Sequence, residues 1–131
     1  MHDRKRWLPL GCCLLIAACA TALQRPVTPY TSPVIEVAPG APYESCVPLQ
    51  AGDRLLFSYQ ADPPMSFAIR RRQGVALLSY LVRDPGREDS GIFFVPEAAN
   101  YCLYWAPPMA DTTWPTLLRF TIQLNPGAGS G

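Results

Sequence analysis

The chain has 131 residues, with 11 Lys and Arg against 10 Asp and Glu, one His, 15 Pro and 5 Cys. This is room for one domain of ordinary size, and a formal charge of +1 gives no basic footprint for nucleic acid. From Cys19 onward there are eight arginines, no lysine, nine carboxylates and no histidine, which excludes Ser-His-Asp and Cys-His nucleophiles and histidine-ligated metals.

In chain order, the first feature is an export signal. Arg4, Lys5 and Arg6 make a cationic start, and Trp7 to Ala18 is an apolar run of about 12 residues, within the range of a signal-peptide core. It is shorter than the ~20 residues that cross a bilayer. The run ends in Leu15-Ile16-Ala17-Ala18-Cys19, which resembles the lipobox of lipoprotein signal peptidase. Small residues let the peptidase approach the backbone, and the thiol carries diacylglycerol. This predicts a signal peptide at 1–18 and lipidation of Cys19. Two other readings stand beside it: Ala20-Thr21-Ala22 is an ordinary A-x-A site that would release a soluble chain from Leu23, and the segment read as a buried helix is a third. Each buried methylene of a lipid contributes ~0.8 kcal/mol, so the two or three chains of a lipoprotein anchor stably. Ala20, in place of an acidic residue, resembles the pattern sorted to the outer membrane. The expected location is therefore the cell envelope of a Gram-negative bacterium, lipid-anchored to the outer membrane and facing the periplasm.

Residues 19–33, with Pro26, Pro29 and Pro33, read as an extended tether, and 127–131 as a flexible tail. Between them, 34–126 reads as one domain in which two-residue alternation recurs between turn signals. Val34 to Val37 is a first strand and Glu44 to Leu49 a second, followed by the Ala51-Gly52-Asp53 turn. Leu55, Phe57 and Tyr59 alternate with polar residues up to Pro63-Pro64, which reads as a stop. Met65, Phe67 and Ile69 then alternate with Ser66, Ala68 and Arg70, and Gln73-Gly74 turns into Val75 to Val82. Asp84-Pro85-Gly86 opens a polar loop to Ser90. Ile92 to Val95, apolar on both faces, reads as central. Asn100 to Trp105 places Cys102 opposite Tyr101, Leu103 and Trp105. Pro107 to Pro115 is the longest loop, and Leu118, Phe120, Ile122 and Leu124 mark the last strand. The pattern predicts an all-β fold, an antiparallel β-sandwich of about eight short strands.

Cys12 and Cys13 leave with the signal peptide and Cys19 is acylated, so Cys46 and Cys102 remain. An even pair in an exported chain reads as a disulfide, stabilising by about 4 kcal/mol in the loop-entropy model. A catalytic or metal-binding pair is the alternative, but no Cys-x-x-Cys spacing supports it. The disulfide either staples the two sheets or joins neighbouring strands, depending on strand order.

From Glu44 to Leu124 the chain resembles a divergent bacterial GOLD (Golgi dynamics) domain. The resemblance rests on Glu44-Ser45-Cys46, Ala51-Gly52-Asp53 leading into Leu55-Leu56-Phe57-Ser58-Tyr59, and Met65-Ser66-Phe67-Ala68-Ile69. It continues in Gly91-Ile92-Phe93-Phe94-Val95, Asn100-Tyr101-Cys102-Leu103-Tyr104-Trp105 and the closing apolar strand. It implies a compact β-sandwich, a Cys46–Cys102 disulfide and protein or lipid recognition without catalysis. Asn100 stands where the family often has glycine, a position that tolerates positive φ. Arg70-Arg71-Arg72 stands where some bacterial relatives carry His-x-His, so no metal role carries over.

The candidate interaction residues are Arg70, Arg72, Tyr104, Trp105, Met109 and Trp114. Arg70 and Arg72 share a strand face, with Arg71 on the other, and form either an anion grip or a charged strand end that discourages aggregation. The aromatic residues and Met109 cluster near the longest loop, as a recognition surface or as core and under-loop packing. Glu88 and Asp89 are carboxylates of a solvated loop rather than an acid–base pair or a Ca²⁺ site. The expectation is a membrane-anchored, non-enzymatic interaction module without cofactor or metal, recognising an envelope protein or lipid. The alternatives are a structural subunit of a larger envelope assembly and a small glycan-binding or hydrolytic domain.

Overall fold

Apolar and polar side chains alternate without a change of phase from Leu55 to Ile69, so one face can be buried throughout although Pro63 and Pro64 intervene. In the computed structural model of the protein, which describes residues 28–108 and 113–127, this stretch is one strand. The strands are β1 (Tyr30–Thr31), β2 (Ile35–Val37), β3 (Tyr43–Leu49), β4 (Arg54–Gln73), β5 (Ala76–Phe94), β6 (Ala99–Ala106) and β7 (Thr116–Asn125). They form one antiparallel sheet that curls on itself, with no helix among the described residues.

The expected all-β antiparallel fold is thus present, with a different strand inventory. The two strands expected at 55–61 and from Met65 are halves of β4, and those at 75–82 and 92–95 are the ends of β5. Pro63-Pro64 is not a stop, and the reason lies in the hydrogen-bond ladder. One edge of β4 pairs with β7 as far as Asp62↔Leu117, then with β6 from Ser66↔Ala106. On the other edge, pairing with β5 skips from Gln60↔Glu88 to Met65↔Gly86. Both prolines fall where neither neighbour asks for an N–H, so the missing donors cost no ladder bond. The expected polar loop at 84–90 is the bend of β5 that follows this corner. Gly74-Val75 closes the hairpin between Gln73 and Ala76, with Gly74 at φ 63°, where a two-residue type II′ loop demands positive φ.

The corner folds one half of the sheet over the other. Strands β7, β1 and β2 lie beside the first half of β4, and β6 and β3 beside the second. Leu55, Phe57, Tyr59 and Ala61 face inward from the first half; Met65, Phe67 and Ile69 face them from the second, with Tyr101, Leu103 and Trp105 of β6. Rings meet across the fold: Phe57 and Phe67 at 4.8 Å, Trp105 and Phe120 at 4.9 Å, Tyr59 and Trp105 edge-on at 5.8 Å. Such geometries add to the gain from burial.

Three local expectations change. Tyr30–Thr31, within the stretch read as tether, pairs with β7, and the buried Ser32 is tied to Phe120 by two bonds of 2.8 and 3.0 Å. Ile92–Val95 is not central: among the described residues β5 pairs with β4 alone, leaving Ile92 49% and Phe94 67% exposed. Asn100 remains extended in β6, and no described non-glycine residue has positive φ. The signal segment, Cys19, the first part of the tether, Met109 and residues 128–131 lie outside the described residues.

Cys46 and Cys102 form the disulfide and sit directly opposite each other on β3 and β6. It joins neighbouring strands on the outer face and does not bridge the two halves. At the turn before β4, the buried Asp53 accepts hydrogen bonds from the N–H of Gln50 at 2.9 Å and of Gly127 at 3.3 Å. Gly127 lies against the backbone of Gly52, where a Cβ would collide.

Trp105 is wholly buried, and its indole N–H has no acceptor among the described residues. Trp105→Ala should therefore cost about 3–5 kcal/mol in denaturant unfolding, and Trp105→Phe clearly less, since a ring is retained and no hydrogen bond is lost.

Candidate functional site

The arginine run divides as strand alternation requires. Arg71 points inward and its guanidinium meets Glu97 at 2.9 Å. Arg70 points outward, where it meets Glu44 at 3.0 Å and lies 3.5 Å above the Tyr104 ring. Glu44 neutralises it and Tyr104 stacks against it, so Arg70 and the exposed Arg72 are not twin free cations. Trp105 is core, which answers the choice between recognition surface and packing for that residue. Trp114 is 74% exposed, so it does not pack under the loop. The expected cluster of recognition aromatics is thus split: Tyr104 belongs to the Arg70 face, and Trp105 to the interior.

Glu44, Cys46 and Cys102 bring a carboxylate and two sulfurs close together, but both sulfurs are consumed by the disulfide and offer no thiolate to a metal. Glu88 and Asp89 lie on β5 and point to opposite faces. Asp89, opposite Tyr59, lies 3.8 Å from Arg83, while Glu88 faces outward beside Gln60.

The outer face of the first half holds what sequence reading did not find. Register aligns its outward side chains in rows across β5, β4 and β7. Ile92, Leu56 and Gln123 form one row; Ser90, Ser58 and Thr121 the next, extended by Thr31 of β1; Glu88, Gln60 and Arg119 the third. The middle row is short, its neighbours long, and a trough results. Its hydroxyl-lined part encloses about 540 Å³, within the range of small-ligand sites. Further hollows adjoin it beyond its two flanking rows, one beside Leu56 and Ile92 and the other beside Asp62, Arg87 and Leu117. Thr31 and Thr121 hydroxyls meet at 3.0 Å across its floor. Glu88 and Arg119 stand two strands apart with Gln60 between them, about 10 Å at the usual strand spacing, and form no ion pair. Alternation alone places each of these side chains outward, but only strand order makes them neighbours.

A second concentration lies along β5. Of the exposed large apolar side chains, Val75, Leu77, Val82, Ile92 and Phe94 belong to β5 or its turn. Gly91, opposite Phe57, leaves room for that ring, because a Cβ there would press on it at 2.9 Å.

Beneath the trough, burial raises the Tyr59 pKa, Asp89 adds to the rise and Arg83 opposes it. Burial likewise raises the Tyr101 pKa, and its hydroxyl donates to the Glu97 carbonyl at 2.7 Å, a bond that ionisation would forfeit. Both shifts mean that the folded state holds these protons more tightly than the unfolded chain. As pH rises past about 10 the unfolded state ionises first, so this stability, complete below that pH, is lost above it. Alkaline titration at the tyrosinate absorbance band should show these two hydroxyls ionising later than a free tyrosine and together with loss of fold; Tyr59→Phe should remove part of the late step.

Compared with known proteins, the chain matches no protein-family model and no curated protein sequence.

Proposed function

We propose that this protein is a lipid-anchored, non-catalytic interaction module of a bacterial cell envelope, a GOLD-like sandwich that recognises a protein partner through β5. The observation that carries the reading is the accumulation of exposed apolar side chains on one long strand whose outer edge no described residue covers. Natural edge strands are shortened or carry proline or charge against unwanted pairing. The other edges comply: β1 and β2 are brief and β3 contains Pro48. On β5 only the bend, with Arg83, Asp84 and Arg87, is guarded in this way. A strand that keeps Ile92 and Phe94 at the surface is suited to accept a partner's side chains or its backbone.

Anchoring through Cys19 would hold this surface within tether reach of a membrane, which favours a partner in or near that membrane by raising its effective concentration. Stable stoichiometric association is the structural-subunit form of the same reading, and lipid is the other candidate partner.

Two measurements test it. Metabolic labelling with palmitate should mark the chain, and Cys19→Ala should abolish the label and shift the protein from the membrane to the soluble fraction; label retained in the variant would remove the anchor. A photo-crosslinking residue at Phe94 should give a discrete protein adduct in cells, while one at the exposed Glu36 on β2, away from β5, should not. Equal adducts at both sites, or none at Phe94, would reject recognition through β5, and adducts to phospholipid alone would reassign the partner.

A further inference from the structure

We infer that the trough on the outer face of β5, β4, β7 and β1 is a binding site for an uncharged glycan chain, adjoining the β5 edge and sharing Ile92 with it. The argument begins with what the floor can offer. The ladder bonds of β4 and β7 are made on both sides, so these strands present side chains only, and an extended peptide lying across them would find no backbone to pair with. Those side chains are hydroxyls: Ser90, Ser58, Thr121 and Thr31 run in one row across four strands, about 14 Å at the usual spacing. Each hydroxyl both donates and accepts, so the row suits a ligand whose groups do the same along its length.

The walls narrow the class further. On one side Gln60 stands between Glu88 and Arg119: an amide that donates and accepts, a carboxylate that only accepts and a guanidinium that only donates. Their charges balance and they are not paired with each other, so the wall attracts neither anion nor cation strongly yet offers every kind of hydrogen bond. The opposite wall is aliphatic at Leu56 and Ile92, with the amide of Gln123 completing the row, and its aliphatic part meets the C–H face of a sugar ring as readily as the polar wall meets its hydroxyls. A charged ligand would leave one of the two ionic groups opposed, and a purely apolar one would strand the hydroxyl floor. A neutral polyhydroxylated chain satisfies both walls and the floor.

The test uses the full chain in micelles of a detergent without a sugar headgroup, titrated with tetra-N-acetylchitotetraose, with maltotetraose and with an acidic oligogalacturonate of equal length. Backbone resonances of Ser58, Ser90 and Thr121 are followed. One of the neutral tetrasaccharides should shift them saturably. Ser58→Phe, which fills the floor, should abolish the shifts, and Arg119→Gln should weaken binding about tenfold while leaving the melting temperature unchanged. If Ser58→Phe does not fold, Glu88→Gln, at an exposed position, replaces it and should weaken binding by a similar factor. No saturable shift with either neutral sugar, shifts that survive these substitutions, or tighter binding of the acidic chain would each overturn the assignment. Phe94 lies outside the trough, so Phe94→Ser should leave sugar binding intact, which keeps this result independent of recognition through β5.

Discussion

The backbone of a strand offers two hydrogen-bonding edges, and in β4 three partners share them. Strand β5 occupies one edge over nearly its whole length, and β7 and β6 divide the other. The division needs a place where the ladder can lapse, and Pro63-Pro64 supplies it. Because the phase of alternation is kept across the lapse, the apolar faces of both halves of β4 turn to the same side and, once the sheet curls there, to each other. The aromatic core around Trp105 follows from this, since Phe57, Tyr59 and Phe67 come from one strand and meet only because it bends. Few contacts in the domain are independent of that corner.

The polar features divide along the same lines. Arg71 is drawn inward at the far end of β4 with Glu97 as its partner, while Arg70 stays outward between Glu44 and Tyr104. The disulfide adds a covalent tie to an edge strand: β3 pairs with β6 alone, and Pro48 removes one of its donors. Placed on the outer face, it ties this edge to the sheet without occupying the core. The segment leading into the domain is secured differently, through Ser32 and the short strands that flank Pro33, so pairing with β7 begins before the first apolar alternation.

Two surfaces remain after this accounting, and they differ in chemistry. The β5 edge is apolar and unguarded at both ends of the strand; the trough is hydroxylic and balanced in charge. A module that displays both beside a lipid anchor would hold a partner protein and an envelope polysaccharide in one place, which is the sense in which the proposed roles belong together.

Much of the molecule was legible in its residues. Alternation of side chains assigned the inward and outward positions of β4, β6 and β7, cysteine arithmetic named Cys46 and Cys102, and the split of Arg70 and Arg72 from Arg71 followed from strand period alone. These are properties of neighbours along the chain, and the two-residue period carries them whatever the partner. What the residues did not reveal depends on partners distant in sequence. Pro63-Pro64 read as an end because its tolerance depends on where β7 stops and β6 begins. Ile92 and Phe94 read as buried because their exposure depends on β5 having one neighbour. Ser58, Ser90 and Thr121 read as three unrelated polar positions, and only the register of β4 with β5 and β7 sets them in a row. Local pattern decides which way a side chain points; the order and register of strands decide what stands beside it, and a binding surface is made of neighbours.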